Sequence, residues 1–492
     1  MLSEAPPGQR LHPISVLFGI GAAAWALLLV ALFSPINSPF LIALLLIPTV
    51  FSSLLKYFSF RFWLGPDEMV IREGILNRNE RHIPYARIQN VDLIQNLLHR
   101  LFQVAVVRLE TASGGKPEAV ISVLPLSTIE AMRAKIFRER DAEAAQADST
   151  AEAKPPLLEL PLVELATFGA ISNKGMVMVA AGFGLAAQTG YFEDPRWLDT
   201  VSALEDVAPV IAAPDSPLLV GVLAVAGLLF VILLLRLFSV LWAIIKYYGF
   251  TLVLNDEDLR AEYGLLTRVT ATIPRRRIQL VTLQLSLLHR WFERVSVQVD
   301  TAGGGNADQG QQGGLERQWL APVLPRHEVR RFLAKVIPEC HLERVAWQPI
   351  SPRAWRRRFR LWLTLLAILT ILAFFAVGPW GLLLTVPGLP LAFVHAQLYA
   401  RRTGYALTPN AVLYRSGAWS RQLSIVPFSK IQALALTQSP FDRRNAMASV
   451  HADTAGATLR GHRIAISYLD DDIARNVLAH LDQETGRTAF QW

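Results

Sequence analysis

Charge is missing from two long stretches of this 492-residue chain: no Asp, Glu, Lys or Arg lies between Arg10 and Lys56, or between Arg360 and Arg401. Each gap is about twice the ~20 residues that one spanning helix needs, which excludes an ordinary soluble fold and reads as two helices and a tight turn. Cysteine is nearly missing too. Cys340 stands alone, which excludes an internal disulfide and fits a reduced compartment. There is no Gly-x-Ser-x-Gly, no His-Glu-x-x-His and no CxxC. The polar, Gly-rich stretch Gly303–Gly314 is not followed by Gly-Lys-Ser/Thr, so it reads as a flexible loop and not as a phosphate-binding loop. Carboxylates are plentiful, but none forms a repeated apolar-flanked pair suited to acid–base chemistry. No enzyme, cofactor or metal is therefore expected.

Apolar residues make up 52% of the chain and charged residues 18%. Six spans are expected, at about 14–34, 39–56, 167–188, 217–238, 361–378 and 380–399, as helices because backbone groups in lipid must be satisfied within the segment. In the third span Lys174 is read as snorkelling at the inner interface, and so is Arg236 in the fourth. The loop at about 189–216 holds one basic residue, Arg196, against Glu193, Asp194, Asp199, Glu205, Asp206 and Asp215. Lys56, Arg61, Lys246, Arg360, Arg401 and Arg402 flank the opposite ends, so both termini and the segments between the hairpins are expected in the cytoplasm. The net charge of +8 is concentrated between Lys246 and Arg360, which reads as juxtamembrane charge and not as a nucleic-acid surface.

Those segments repeat. Gly74, Pro84, Gln89, Arg100 and Thr111 recur as Gly264, Pro274, Gln279, Arg290 and Thr301, and again as Gly417, Pro427, Gln432, Arg443 and Thr454, with identical spacings. The chain is thus a triplicated unit. Within each copy short alternating runs such as Val295–Val299 read as strands, with the repeated Gly between two of them as a turn. Each copy ends in a strand and a helix, giving a small β-rich domain with one covered face. The boundaries read as hairpin one at 1–56, unit one at 57–145, a linker and interfacial helix at 146–166, hairpin two at 167–245, unit two at 246–345, hairpin three at 346–400 and unit three at 401–492.

The pattern Ile-Pro-x-x-Arg-Ile-Gln, then Leu98-His99-Arg100 or Leu288-His289-Arg290, then acid-Thr-Ala, resembles the bacterial membrane-flanked pleckstrin-homology-like family (YdbS/YdbT-like), and the three-unit layout is similar to its longer members. The third copy departs, with Lys430 for Arg and Phe441-Asp442-Arg443 for Leu-His-Arg. The resemblance implies membrane helical hairpins plus three bacterial PH-like β-sandwich or barrel domains, each with a C-terminal helix. It also implies a smaller single-domain membrane relative as a partner, and it supplies no firm activity.

The repeated Pro-x-x-Arg/Lys-Ile-Gln element is the leading candidate site: Arg87 and Gln89, then Arg275, Arg276, Arg277 and Gln279, then Lys430 and Gln432. Arg suits bidentate phosphate contact, so these residues are read as a recognition edge for anionic lipid or a protein partner, with unit two the strongest lipid contact. The competing reading is that they satisfy turn backbone groups. His99 and His289 lack recurring companions for a metal. Arg100, Arg290 and Arg443 are read as pairing with Glu110, Asp300 and Asp453. The expected function is a non-enzymatic scaffold or binding module in the bacterial inner membrane, serving envelope maintenance or stress. Its partners are membrane lipids, the smaller relative or a second copy of itself, and not nucleic acid. The alternative is a six-span lipid or solute transport protein.

Overall fold

A computed structural model describes residues 9–20, 39–74, 77–111, 119–136, 155–172, 217–255, 258–301, 319–340, 345–454 and 463–487, with isolated positions between 176 and 187 and at 342. The acidic loop at 189–216, Lys174, the Gly-rich loop and most of the first span lie outside the described residues.

Each unit is built from two small antiparallel sheets. In unit one, β1 (Arg61–Leu64), β2 (Glu68–Glu73) and β3 (Asn79–Pro84) form the first, and β4 (Ile88–Asn96), β5 (Val104–Thr111) and β6 (Ala119–Pro125) the second. Unit two repeats this with β7 (Leu158–Glu159), β8 (Thr251–Asn255), β9 (Asp258–Tyr263) and β10 (Thr267–Pro274), then β11 (Ile278–Leu285), β12 (Arg294–Thr301) and β13 (Trp319–Pro325). Unit three has β14 (Gln348–Pro349), β15 (Gly404–Leu407), β16 (Ala411–Ser416) and β17 (Arg421–Pro427), then β18 (Ile431–Thr437), β19 (Met447–Thr454) and β20 (Arg463–Asp470). A helix follows the last strand each time: Leu126–Ile136, Val329–Val336 and Asp471–Arg487. Buried Leu124, Leu324 and Leu469 stand just before these helices.

The repeated glycines hold the first hairpin of each unit. Gly74, Gly264 and Gly417 have φ of 94°, 112° and 110°. A Cβ at these positions would run into the carbonyls of Asn77, Thr267 and Ser420, so only glycine fits the turn.

The units are not separate beads. β4 pairs with β10, and β11 pairs with β17, so the second sheet of one unit and the first of the next form a single seven-stranded sheet at each junction. Gln95 faces Arg268 at the first joint and Leu285 faces Arg421 at the second; these are equivalent positions in the repeat, so both joints share one register. The core follows the sheets: Ala406, Ala411, Leu413 and Ile425 of unit three pack into the cluster of unit two.

Three helical segments, Val225–Tyr247, Ala354–Ala376 and Gly378–Arg402, are long and apolar enough to cross a membrane. Three assignments differ from those read in the sequence. Leu162–Ile171 is a helix seated on unit two, with Leu165 and Phe168 buried; it ends at Ser172, so residues 167–171 do not open a span. Arg236 donates to the carbonyls of Ala170 and Ser172 at the end of this helix, at 3.0 and 3.3 Å. Likewise Leu158–Glu159 and Gln348–Pro349, assigned to linker and hairpin, pair with β8 and β15 and belong to the bodies of units two and three.

Candidate functional site

The Pro-x-x-Arg/Lys-Ile-Gln element folds alike in all three copies: a 3-10 turn at Tyr85–Arg87, Arg275–Arg277 and Phe428–Lys430, followed directly by the strand that starts at Ile88, Ile278 or Ile431. Its side chains do not share one environment. Arg277, Gln279 and Lys430 are buried. The Gln279 amide donates to the carbonyl of Arg277 at 3.4 Å. Lys430 Nζ reaches across the second joint to the carbonyl of Arg276, and burial lowers the lysine pKa against the opposing pull of Glu339. Arg275 donates from Nε to the carbonyl of Val336 at 3.1 Å. Arg87, Arg276 and Gln432 are exposed, and the side chain of Gln89 lies outside the described residues. The element therefore does not form one headgroup edge. Burial takes Arg277, Gln279 and Lys430 off the available surface, and the Lys430 ammonium is already turned onto a protein carbonyl.

The His-Arg motif is a helix start. His289 is the third residue of the short helix Leu287–Trp291, where it forms a capping box with Ser286; its Nδ1 lies 2.8 Å from Ser286 Oγ and its Nε2 2.8 Å from Ser296 Oγ. Burial pushes its pKa down to about 4, so the ring is neutral at physiological pH. His99 caps from Asn96 in the same way, and Asp442 does so from Ser439 in unit three. The third copy thus keeps the cap while changing the residue. No group of three His, Cys, Asp or Glu suited to a metal occurs among the described residues. Arg100 donates to the carbonyl of Leu265 in unit two at 3.3 Å, crossing the first joint; the Glu110 side chain lies outside the described residues.

The site that the sequence reading missed is a pocket beside the second joint. A cavity of about 210 Å³ is lined by Arg401, Arg402, Arg415, Ser416 and Arg421. Arg401 and Arg402 end the apolar helix Thr385–Arg402, Arg415 and Ser416 end β16, and Arg421 opens β17 after the Gly417 turn. Arg402 is fixed by donating to the carbonyl of Ala418 at 2.7 Å, and the Arg415 guanidinium lies 4.4 Å from the centre of the Trp347 ring. The Nε groups of Arg415 and Arg421 are buried and have no partner among the described residues. Arg421 has its pKa lowered by burial and then by Arg402, Arg290, Arg326 and Arg415, all of them cations.

The equivalent position is also arginine in unit one, where Arg72 pairs with Glu80 at 2.6 Å, but it is acidic in unit two. Where unit three has Arg415, unit two has Glu262, which bonds Arg260 at 2.7 Å and Arg268 at 2.9 Å. Arg268 is the counterpart of Arg421. Burial raises the Glu262 pKa, but the two guanidiniums outweigh it and the net shift is downward. The arginine at the start of the second hairpin strand is thus ion-paired in unit two and has no ion pair among the described residues in unit three. Sequence reasoning overlooked the pocket because its arginines come from separate elements; the signal it could have used was the arginine pair Arg415 and Arg421 on either side of the Gly417 turn, next to the basic end Arg401-Arg402 of the last apolar stretch.

A family model described as Bacterial PH domain matches residues 15–140, 208–339 and 343–485. The UPF0699 transmembrane protein YdbT of Bacillus subtilis (strain 168) is 25% identical over 425 residues, which covers 83% of this chain and 82% of that protein. No solved structure matches this chain.

Proposed function

The chain belongs to the bacterial PH domain family, and on that premise we propose that it is a non-enzymatic membrane protein whose arginine pocket takes the phosphate of an anionic lipid headgroup. Helical hairpins anchor three PH-like β-sandwich domains, each closed by a C-terminal helix, on the cytoplasmic face. The observation that carries the reading is the pair of buried, unpartnered Nε groups of Arg415 and Arg421 in a cavity walled by arginine. Half-buried guanidiniums with no counter-ion among the described residues gain from an anion, and a phosphate with several acceptor oxygens would supply one through forked donors.

Position favours a lipid as the source of that phosphate. Arg401 and Arg402 close the candidate span Gly378–Arg402, so the pocket lies at the depth where a helix leaves the bilayer. The basic flanks of the spans and the acidic 189–216 loop support a cytoplasmic setting. A polar transport path finds less support, since the Thr364 and Thr385 hydroxyls donate to the nearby carbonyls of Leu361 and Leu382.

The test is titration of the full-length chain in detergent with short-chain phosphatidylglycerol, short-chain phosphatidylcholine and inorganic phosphate. Saturable binding of the anionic lipid, lost in Arg415→Glu and kept in Arg276→Ala, is the expected result; Arg276 is exposed and lies outside the pocket. Inorganic phosphate binding as tightly as the lipid would assign the pocket to a free anion. Equal binding of both lipids, or no effect of Arg415→Glu, would overturn the proposal.

A further inference from the structure

The two internal joints use the same pair of edges, and each edge type is left over once at an end of the chain. The edge of β4 and β11 has its third copy in β18, and the edge of β10 and β17 has its third copy in β3. Among the described residues both leftovers border three-stranded sheets, with β3 and β18 as outermost strands. We propose that β18 of one molecule pairs with β3 of a second copy of this chain, head to tail, in the register of the internal joints.

The exposure pattern marks both ends as vacant versions of filled joints. Gln279 on β11 is 0% exposed, whereas its counterpart Gln432 on β18 is exposed. Lys430 is buried against unit two, whereas its counterpart Arg87 is exposed. Strand β3 shows Asn79, Glu80, Arg81 and His82 to solvent; the matching end of β10 is only partly so. Strand chemistry agrees. β18 reads Ile-Gln-Ala-Leu-Ala-Leu-Thr, with no charge and no proline, so it lacks the devices that guard a free edge against pairing. On β3, Glu80, Arg81 and His82 pair within unit one with Arg72, Glu73 and Glu68, so their charges meet β18 already neutralised.

Transposing the internal joints gives that register. Leu93 faces Thr270 at the first joint and Leu283 faces Leu423 at the second. The same rule sets Leu436 opposite Glu80, Ala435 opposite Arg81 and Leu434 opposite His82. Arg87 then meets the carbonyl of Ser429 of the other copy, as Lys430 meets that of Arg276 within the chain. Such a contact is heterologous, so it builds a ring if the rotation closes and a filament if it does not. A second copy is the favoured occupant because the chain itself shows, twice, that these two edges fit.

Cysteines at Ala435 and Arg81 in one chain test this in native membranes. Residues directly opposite in an antiparallel pair have Cα atoms about 4.5–5.5 Å apart, within the roughly 4.4–6.8 Å that a disulfide spans. Mild oxidation should give a ladder of covalent oligomers that needs both cysteines, while Ala435→Cys with Arg78→Cys should give none. The native Cys340 stays silent, being buried with its thiol pushed up to about 12 by burial and Glu339. A charge pair supplies the second readout. Ala435→Lys, set against Arg81, should disperse oligomers of the full-length chain in mild detergent, and Ala435→Glu should keep them. A monomer without cross-links, a cross-link made only to a different protein, or equal loss with Lys and Glu would overturn the proposal.

Discussion

Units two and three present the same glycine turn to the unit before them and carry opposite charge beside it. At the first joint Glu262 sits between Arg260 and Arg268; at the second, Arg415 takes the place of that carboxylate and faces Arg421 within a wall of arginines. Backbone pairing at the two joints is the same in register, so folding does not demand the change. The difference teaches that the joint is the structural constant of the repeat, while the charge beside the glycine turn varies: the position reads Arg72, Glu262 and Arg415 in the three units.

Four experiments sharpen or break this contrast. The largest effect is expected for Arg415→Glu, which gives unit three the residue of unit two. Anionic-lipid affinity should fall tenfold or more, as follows from about 1.5–3 kcal/mol for a charge-assisted hydrogen bond; lipid titration of the full-length chain reads it. Next comes acid sensitivity. His289 has a folded pKa of about 4 against an ordinary value of 6.5, so the unfolded chain binds the proton first. The stability that His289 contributes is therefore complete above pH 6.5 and is lost as pH falls from 6.5 toward 4, by an amount on the order of 2–3 kcal/mol. Hydrogen exchange in β11 and β12 should report this loss, and His289→Gln, which keeps a capping-box residue, should flatten it. Unit three, with Asp442 at the cap, lacks that histidine.

Lys430→Ala probes the joint itself. It leaves the Arg276 carbonyl without the lysine donor and should cost about 1–3 kcal/mol, seen as faster exchange in β11 and β17 while the first joint is unchanged. The smallest effect is expected for Glu262→Arg. It breaks two half-exposed ion pairs worth about 0.2–1 kcal/mol each, and it should add a second, weaker anionic-lipid site, read as lipid stoichiometry. Unchanged stoichiometry would mean that the acid-to-base change alone does not make the pocket.

Much of the architecture was legible because it rests on local chemistry. The spacing of Gly74, Gly264 and Gly417 marked three hairpins whose positive φ only glycine tolerates without strain. The uncharged stretch after Arg360 marked the helices Ala354–Val377 and Thr385–Arg402. The sheet joints were not legible, because a strand edge gives no sign in sequence of which other edge it will meet. That hid the burial of Lys430, whose carbonyl partner, Arg276, belongs to the neighbouring unit. Asp442 in place of His289 read as a departure of the third copy from the family pattern. Only the Ser286 and Ser439 caps explain why either residue serves there. The start of the third span was misread because Leu165 and Phe168 are as apolar as lipid-facing residues, yet they are buried in unit two.

Mass spectrometry of the intact chain released from its own membranes tests the pocket most directly. The account predicts one anionic phospholipid retained per chain in the wild type, absent from Arg415→Glu and still present in Arg276→Ala. Retention of that lipid by Arg415→Glu at the wild-type level would contradict it.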